Sequence, residues 1–272
     1  MDRGYGVRLE RQGPVAVVTF DRPERKNAFD EHMWGCLEAA VADIRQRPPR
    51  AVVVTGAGGR AFSAGFDVNP DNPMVERLAR AVERHDRGPA WELITRIRGA
   101  VDSLVSIEVP VIAAINGLAY GGGAEIACRC DLRVMDPSGV ICFSETRLGL
   151  MPDHGGVVGL ARLVGASRAA DLILTAREVG AEEALSMGLV NRVSAPGKAL
   201  DEAMDLACAI ASNGPRAVRS ALSVIRRVAD LDALSALELE TETAVDLIAS
   251  GECIHGITAF LSKQKAVFPD PA

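Results

Sequence analysis

The segment Val109-Pro-Val-Ile-Ala-Ala-Ile-Asn-Gly-Leu-Ala-Tyr-Gly-Gly-Gly-Ala-Glu125 constrains this chain more than any other. Residues 111–115 are a short apolar, partly β-branched run, which predicts a buried strand. Asn116-Gly117 breaks the run, Gly121-Gly-Gly123 makes a turn without side chains, and Ala124-Glu-Ile-Ala-Cys128 has helix-forming character. Strand, glycine turn and helix start together bring uncovered backbone N–H groups to a helix N-terminus, a site for an anion or a developing oxyanion. Glu125 falls in the first turn of that helix, so its carboxylate reaches the same place.

A chain of 272 residues can bury a substantial core. Its longest apolar runs are far shorter than a membrane span, and the opening Met1-Asp-Arg-Gly-Tyr5 lacks a signal-peptide core, so the expectation is a cytoplasmic protein without a membrane partner. A formal charge of -6 gives no general basic surface for nucleic acid. The six cysteines are scattered, and Cys128-x-Cys130 is too tight for a zinc ligand pair, so they read as buried free thiols. His32, His85, His154 and His255 are dispersed, and no metal site is visible from spacing.

In chain order, strands are expected over 7–10 and 15–20, joined as a hairpin, and Asp30 caps a helix running to about Gln46. Its apolar positions include Trp34, read as a core residue. A strand over 50–55 ends in Gly56-Ala-Gly-Gly-Arg-Ala61, which matches a dinucleotide fingerprint, but Gly65, Pro70 and Pro73 prevent the helix such a site needs. Gly65 instead permits an unusual turn that aims the N–H of Phe66 into a pocket. The polar stretch 69–89 holds a short helix over 75–84, and a longer helix over 91–106 leads into the central strand. Beyond Glu125, a strand over 132–135 is turned back by Asp136-Pro-Ser-Gly139 into another over 140–143. A loop from Ser144 to Gly156 follows, then helices from about Val157, over 167–175 and over 181–187, and a strand over 190–193. Helices over 200–212, 215–228, 231–249 and 251–266 complete the chain. This divides it into an α/β core, 1–195, and a helical region, 196–272, whose apolar faces need a covering such as a neighbouring subunit.

Four segments in this order resemble the crotonase superfamily, the enoyl-CoA hydratases and isomerases. They are Arg22-Pro-Glu-Arg-Lys-Asn-Ala28, Ala61-Phe-Ser-Ala-Gly-Phe-Asp67, the stretch from Pro110 to Glu125, and Ser144-Glu-Thr-Arg-Leu-Gly-Leu-Met-Pro152. Thr175-Ala-Arg177, Ala181-Glu-Glu-Ala-Leu-Ser-Met-Gly-Leu-Val-Asn191 and Phe260-Leu-Ser-Lys263 also look like the family. The resemblance implies a ClpP/crotonase-like α/β spiral of ββα units with a C-terminal helical trimerisation region, in homotrimers that often pair into hexamers. It implies an acyl-CoA thioester substrate and no separate cofactor, coenzyme A being part of the substrate. The backbone N–H groups of Phe66 and Gly122 fall where the family polarises the thioester carbonyl. Glu125 and Glu145 match the hydratase glutamates, Glu145 as the Cα acid/base and Glu125 as the partner that orients or deprotonates the water. Arg25, Lys26, Ala28, Ala64, Asp67, Val68 and Lys263 fall where the family holds substrate and CoA.

Two positions depart from the common hydratase pattern. Phe66 replaces a small residue, and Asp153 stands where hydratases usually have glycine, near the place of the acid in double-bond isomerases. Three carboxylates, Glu125, Glu145 and Asp153, with His154 adjacent, would repel one another and raise at least one pKa. The intact glutamate pair favours hydration. The alternative is enoyl-CoA isomerisation with Asp153 or Glu145 as proton shuttle, and a third is a catalytically silent binding protein of the same fold. The acyl group depends on the 69–89 segment.

Overall fold

The computed structural model describes residues 4–270; Met1 to Arg3, part of the opening read above as lacking a signal-peptide core, lie outside the described residues. The strands begin with β1 (Gly6–Gln12), β2 (Val15–Asp21), β3 (Ala51–Gly56) and the three-residue β4 (Ala61–Ser63). β5 (Val111–Ile115) and β6 (Leu118–Tyr120) flank the Asn116-Gly117 break, while β7 (Leu132–Met135) and β8 (Val140–Cys142) flank the turn at 136–139. β9 (Val179–Gly180) and β10 (Arg192–Val193) are two-residue pieces. One sheet runs β1-β2-β3-β5-β7-β10 and a second runs β4-β6-β8-β9. β1 and β2 are antiparallel, and the other pairings of the large sheet are parallel.

The strands β2, β3 and β5 are apolar at nearly every position because both sheet faces are covered. Ala16, Val18, Val52, Val54, Val111 and Ala113 join the core that also holds Met33, Trp34 and Leu37 of α1 (Glu31–Gln46). The alternate residues Val15, Ala51, Val53, Ile112 and Ala114 pack instead with Ala203, Ala207 and Ala211 of the C-terminal region. Asp30 caps α1 as expected, accepting a hydrogen bond from Met33 N at 2.9 Å.

Two further helices, α2 (Pro73–Glu83) and α3 (Arg87–Val105), precede β5. Between the sheets' crossings lies α4 (Gly122–Arg129), followed by α5 (Gly156–Val164), α6 (Ala166–Thr175) and α7 (Ala181–Ser186). The C-terminal helices are α8 (Ala199–Ala211), α9 (Pro215–Arg227), α10 (Ala233–Ala249) and α11 (Glu252–Leu261). α10 buries no residue in the single chain, and α11 exposes Ile254, Ile257, Phe260 and Leu261. Among the described residues no single helix is long and apolar enough to cross a membrane; α10 and α11 meet that test only as a pair bent by 71°.

Several local expectations need correction. Residues 136–139 do not fold β8 back onto β7: β8 pairs in parallel with β6, so the turn carries the chain from one sheet to the other. The strand at 190–193 shrinks to β10 because Val190 N is taken by Ala184 O, closing α7. The last helix ends at Leu261, beyond which Lys263 takes a left-handed backbone with φ 53°. Cys128, Cys130 and Cys142 are buried thiols, but Cys36 and Cys253 are half-buried and Cys208 is exposed.

Arg133 on β7 is 2% exposed and has no carboxylate partner among the described residues. Its guanidinium donates instead to carbonyls, from Nε to Leu189 O at 2.8 Å and from Nη1 to Cys130 O at 2.5 Å. Cys130 caps the C-terminus of α4, so the cation sits at the negative end of that helix's dipole. Arg133→Met should leave these carbonyls buried without donors and lower stability by on the order of 3 kcal/mol. A lower midpoint of guanidinium unfolding at unchanged slope is the expected result; an unchanged midpoint would contradict this role.

Candidate active site

The site forms where the loop after β4 meets the start of α4. Phe29 and Phe66 make a parallel bridge in which Phe29 N donates to Gly65 O at 2.7 Å and Asp67 N donates to Phe29 O at 2.9 Å. Alternation along an extended chain then turns the N–H of Phe66 away from Phe29. Gly122 is the first residue of α4, and its N–H is one of the donors that a helix start leaves unpaired. Neither N–H has a protein acceptor among the described residues.

The two donors are neighbours because the backbones nearly touch. A Cβ on Gly65, whose φ is +81°, would stand 2.6 Å from Gly122 N, and one on Gly123 would stand 2.2 Å from Ser63 O. Buried Arg22 fixes the Phe66 loop by pairing with Asp67 at 2.7 Å and donating to Ala28 O at 3.1 Å. Burial opposes ionisation of Asp67, but hydrogen bonds from Asn69 and Arg22 outweigh it and hold that carboxyl below the usual range. The Asp67 side chain therefore braces the loop that carries Phe66.

Glu125 lies in the first turn of α4 and is fully buried. Its Oε2 accepts from Gly156 N at 2.7 Å and His154 N at 2.8 Å, while Oε1 receives only a longer contact from Asp153 N at 3.3 Å. A Cβ on Gly156 would lie 2.4 Å from Glu125 Cγ, so this glycine makes room for the acid. Glu145 opens a short 3-10 turn, Glu145–Leu148, held by Thr146 Oγ1 on Ile173 O at 2.8 Å. Its carboxylate stands over the glycine turn, 3.4 Å from where a Cβ of Gly121 would be, and both its oxygens are buried without a hydrogen-bond partner among the described residues.

Burial, and next the Glu145 charge, push the Glu125 carboxyl up to about 8, against the opposing pull of the Gly156 and His154 N–H groups. Glu145 is raised chiefly by burial, and Asp153 is raised by burial to about 6. His154 is driven down to about 4 by burial and then by the nearby Arg129 cation, so its ring is neutral. One oxygen or nitrogen of each of Glu125, Asp153 and His154 lies within 4.8 Å of the others. The spacing of the histidines along the chain does not reveal this grouping, in which the Glu125 oxygens also accept from backbone N–H groups.

Two of the other residues singled out by resemblance, Lys26 and Ala64, are neighbours. Ala64 N donates to Lys26 O at 2.9 Å, so the 22–28 loop and the segment after β4 run side by side. Arg25 and Lys26 are exposed, with Arg25 weakly paired to Asp71 at 3.4 Å, while Ala28 is buried and Val68 exposed. Lys263, beyond α11, is exposed and has no carboxylate partner among the described residues. His154, one of the dispersed histidines and the neighbour of Asp153 in sequence, is brought against Glu125 by the fold. Trp34, expected in the core, is there, with its ring edge-on to His154 at 5.7 Å between centroids.

Two sheets joined by crossing helices, with a helical tail, are the architecture of a crotonase-fold enzyme. The family model described as enoyl-CoA hydratase/isomerase matches residues 10–271, and the chain belongs to that family. It is 36% identical over 260 residues to a short-chain-enoyl-CoA hydratase of Clostridium acetobutylicum, covering 95% of each chain. It is 33% identical over 261 residues to a crotonyl-CoA hydratase of Syntrophomonas wolfei, covering 96% of each. The crystal structure of an enoyl-CoA hydratase from Bacillus anthracis superposes with a TM-score of 0.87 at 31% identity, covering 96% of this chain and 98% of that one.

A carboxyl that titrates higher in the folded than in the unfolded chain makes the folded state bind more protons. The stability associated with Glu125 is therefore full below 4.5 and is lost as pH rises toward about 8. Glu125→Gln keeps the shape and removes the charge. Its melting temperature relative to the wild type should climb across that window, and a difference independent of pH would contradict the raised titration.

Proposed function

We propose that this chain hydrates the 2,3-double bond of enoyl-CoA thioesters. The observation that carries this reading is the pair of donors Phe66 N–H and Gly122 N–H, which have no protein acceptor among the described residues and stand on touching backbones near the buried Glu125 and the half-buried Glu145, whose carboxylate oxygens are themselves buried. Addition at Cβ leaves an enolate whose oxygen lies between the donors, each worth about 3–4 kcal/mol of barrier. Glu125 and Glu145 hold the water, with Glu145 exchanging the proton at Cα and Glu125 acting as its partner on the water. Arg25, Lys26 and Ala64 receive the CoA arm, and Lys263 of a neighbouring subunit approaches its phosphates. The apolar residues exposed on α10 and α11 favour assembly into a homotrimer or a pair of trimers.

Double-bond isomerisation is the second reading, favoured by one observation. Asp153 is a half-buried acid with a raised pKa close to both glutamates. A purified-enzyme screen over a panel of enoyl-CoA thioesters, followed by loss of enoyl absorbance, tests the activity and finds the acyl group. Glu145→Gln should lower hydration roughly 10²–10⁴-fold, whereas Asp153→Asn should cost about tenfold by altering the glutamate titrations. Near-normal hydration in Glu145→Gln, or the heavier loss in Asp153→Asn, would overturn the hydratase assignment in favour of the proton shuttle.

A further inference from the structure

His154 is the one buried titratable side chain at the site to which the reaction above gives no task. It is 5% exposed, enclosed by the edge of Trp34 from α1, and its carbonyl is held by Arg129 of α4 at 3.0 Å. Its Nε2 stands 3.1 Å from Asp153 Oδ1, and its Nδ1 stands 3.6 Å from Glu125 Oε1. Nδ1 is buried and has no hydrogen-bond partner among the described residues. A neutral imidazole carries one N–H. With that N–H on Nε2, directed at the Asp153 carboxylate, Nδ1 is a bare acceptor in a dry place.

The Glu125 carboxyl complements it. Oε2 is saturated by two short N–H contacts, as suits a carbonyl oxygen, whereas Oε1 has only the 3.3 Å N–H contact and faces Nδ1, the Glu145 carboxylate being the other side chain against Glu125. A proton on Oε1 would satisfy the otherwise unpartnered nitrogen, and a small rotation of the carboxyl would close the 3.6 Å gap, as such contacts commonly tighten when substrate binds. We propose that His154 is a positioning residue which, donating to Asp153 and accepting from Glu125 Oε1–H, keeps the glutamate pair's proton on Glu125 and leaves Glu145 as the resting base. This rests on the hydratase reading for its consequence, since it makes Glu145 the group that takes the water's proton and returns it to Cα, with Glu125 the neutral partner holding the water. The titratable and charged groups around the contact are Glu145 and Asp153 toward Glu125, and Asp153 and Arg129 toward His154. Burial that disfavours charge on both Glu125 and His154 acts in the same sense.

The test is an infrared titration of the free protein, following the C=O stretch of a neutral carboxylic acid, which requires no turnover. A band present near neutral pH should vanish in Glu125→Gln and persist in Glu145→Gln. In His154→Leu, its loss on raising pH should move down by about one unit, a tenfold fall in proton affinity. His154→Asn, whose amide oxygen can occupy the Nδ1 position, should restore it. A side chain that merely filled space would give the opposite sign, because leucine dries the site further and raises a carboxyl pKa. An unmoved or upward-shifted titration in His154→Leu, or a band that survives in Glu125→Gln, overturns the proposal. If His154→Leu fails to fold by circular dichroism, the band assignment in the two glutamine variants decides alone. Failure to hydrate any enoyl-CoA would overturn the parent reading while leaving this titration interpretable.

Discussion

The structure depends on a place where two stretches of backbone meet with no side chain between them. Ser63 O lies where a Cβ of Gly123 would be, and Gly122 N lies where a Cβ of Gly65 would be. Glycine is required there by contact distance, and at Gly65 by the positive φ as well. Because the segments approach so closely, the N–H of Phe66 and the N–H that opens α4 stand on adjacent stretches of backbone. The Arg22–Asp67 pair behind one segment and the Arg133 guanidinium at the far end of α4 hold the arrangement from both sides.

That rigidity gives the acids their chemistry. Glu125 is buried by the same helix start that supplies a donor, and its Oε2 is fixed by the loop entering α5. Loss of hydration raises its pKa while the Gly156 and His154 N–H groups lower it, so a buried glutamate titrates near neutrality instead of staying permanently protonated or ionised. Glu145 has the opposite design, with oxygens that accept no hydrogen bond among the described residues. A carboxylate kept dry and unpaired is available to a substrate proton or a water. Asp153 and His154 form the back of this cluster, where one acid and one neutral ring can set how a proton is shared.

Much of this was legible in the sequence wherever the signal was local. The apolar run 111–115 and Glu125 appear in the structure as strand and first helical turn, whereas of the glycine triplet expected as a turn only Gly121 stays outside α4. The Asp30 cap and the α1 stripe follow helical spacing, and both survive in the fold. Of the second sheet only β8 was legible, as the strand expected over 140–143, because β4 and β6 are three residues each and β9 two, too short for an alternation pattern to register. Their stability comes from pairing across distant parts of the chain, which also explains why residues 136–139 resembled a hairpin turn. Arg133 looked like an ordinary strand residue, since nothing in sequence announces a guanidinium paired with carbonyls. His154 gave a weak signal beside Asp153; its contact with Glu125 requires a chain reversal across 29 positions.

The central claim is that Phe66 N–H and Gly122 N–H together polarise a thioester carbonyl. It is tested most directly by the infrared spectrum of a 2-enoyl-CoA, isotopically labelled at the carbonyl carbon, bound to the Glu145→Gln protein so that it is not consumed. Two hydrogen bonds in a dry site should move the thioester C=O stretch to lower frequency than in water. Gly122→Pro, which lacks the N–H, should return part of that shift in a variant shown to be folded by circular dichroism. A bound carbonyl that vibrates as it does in water would contradict the account.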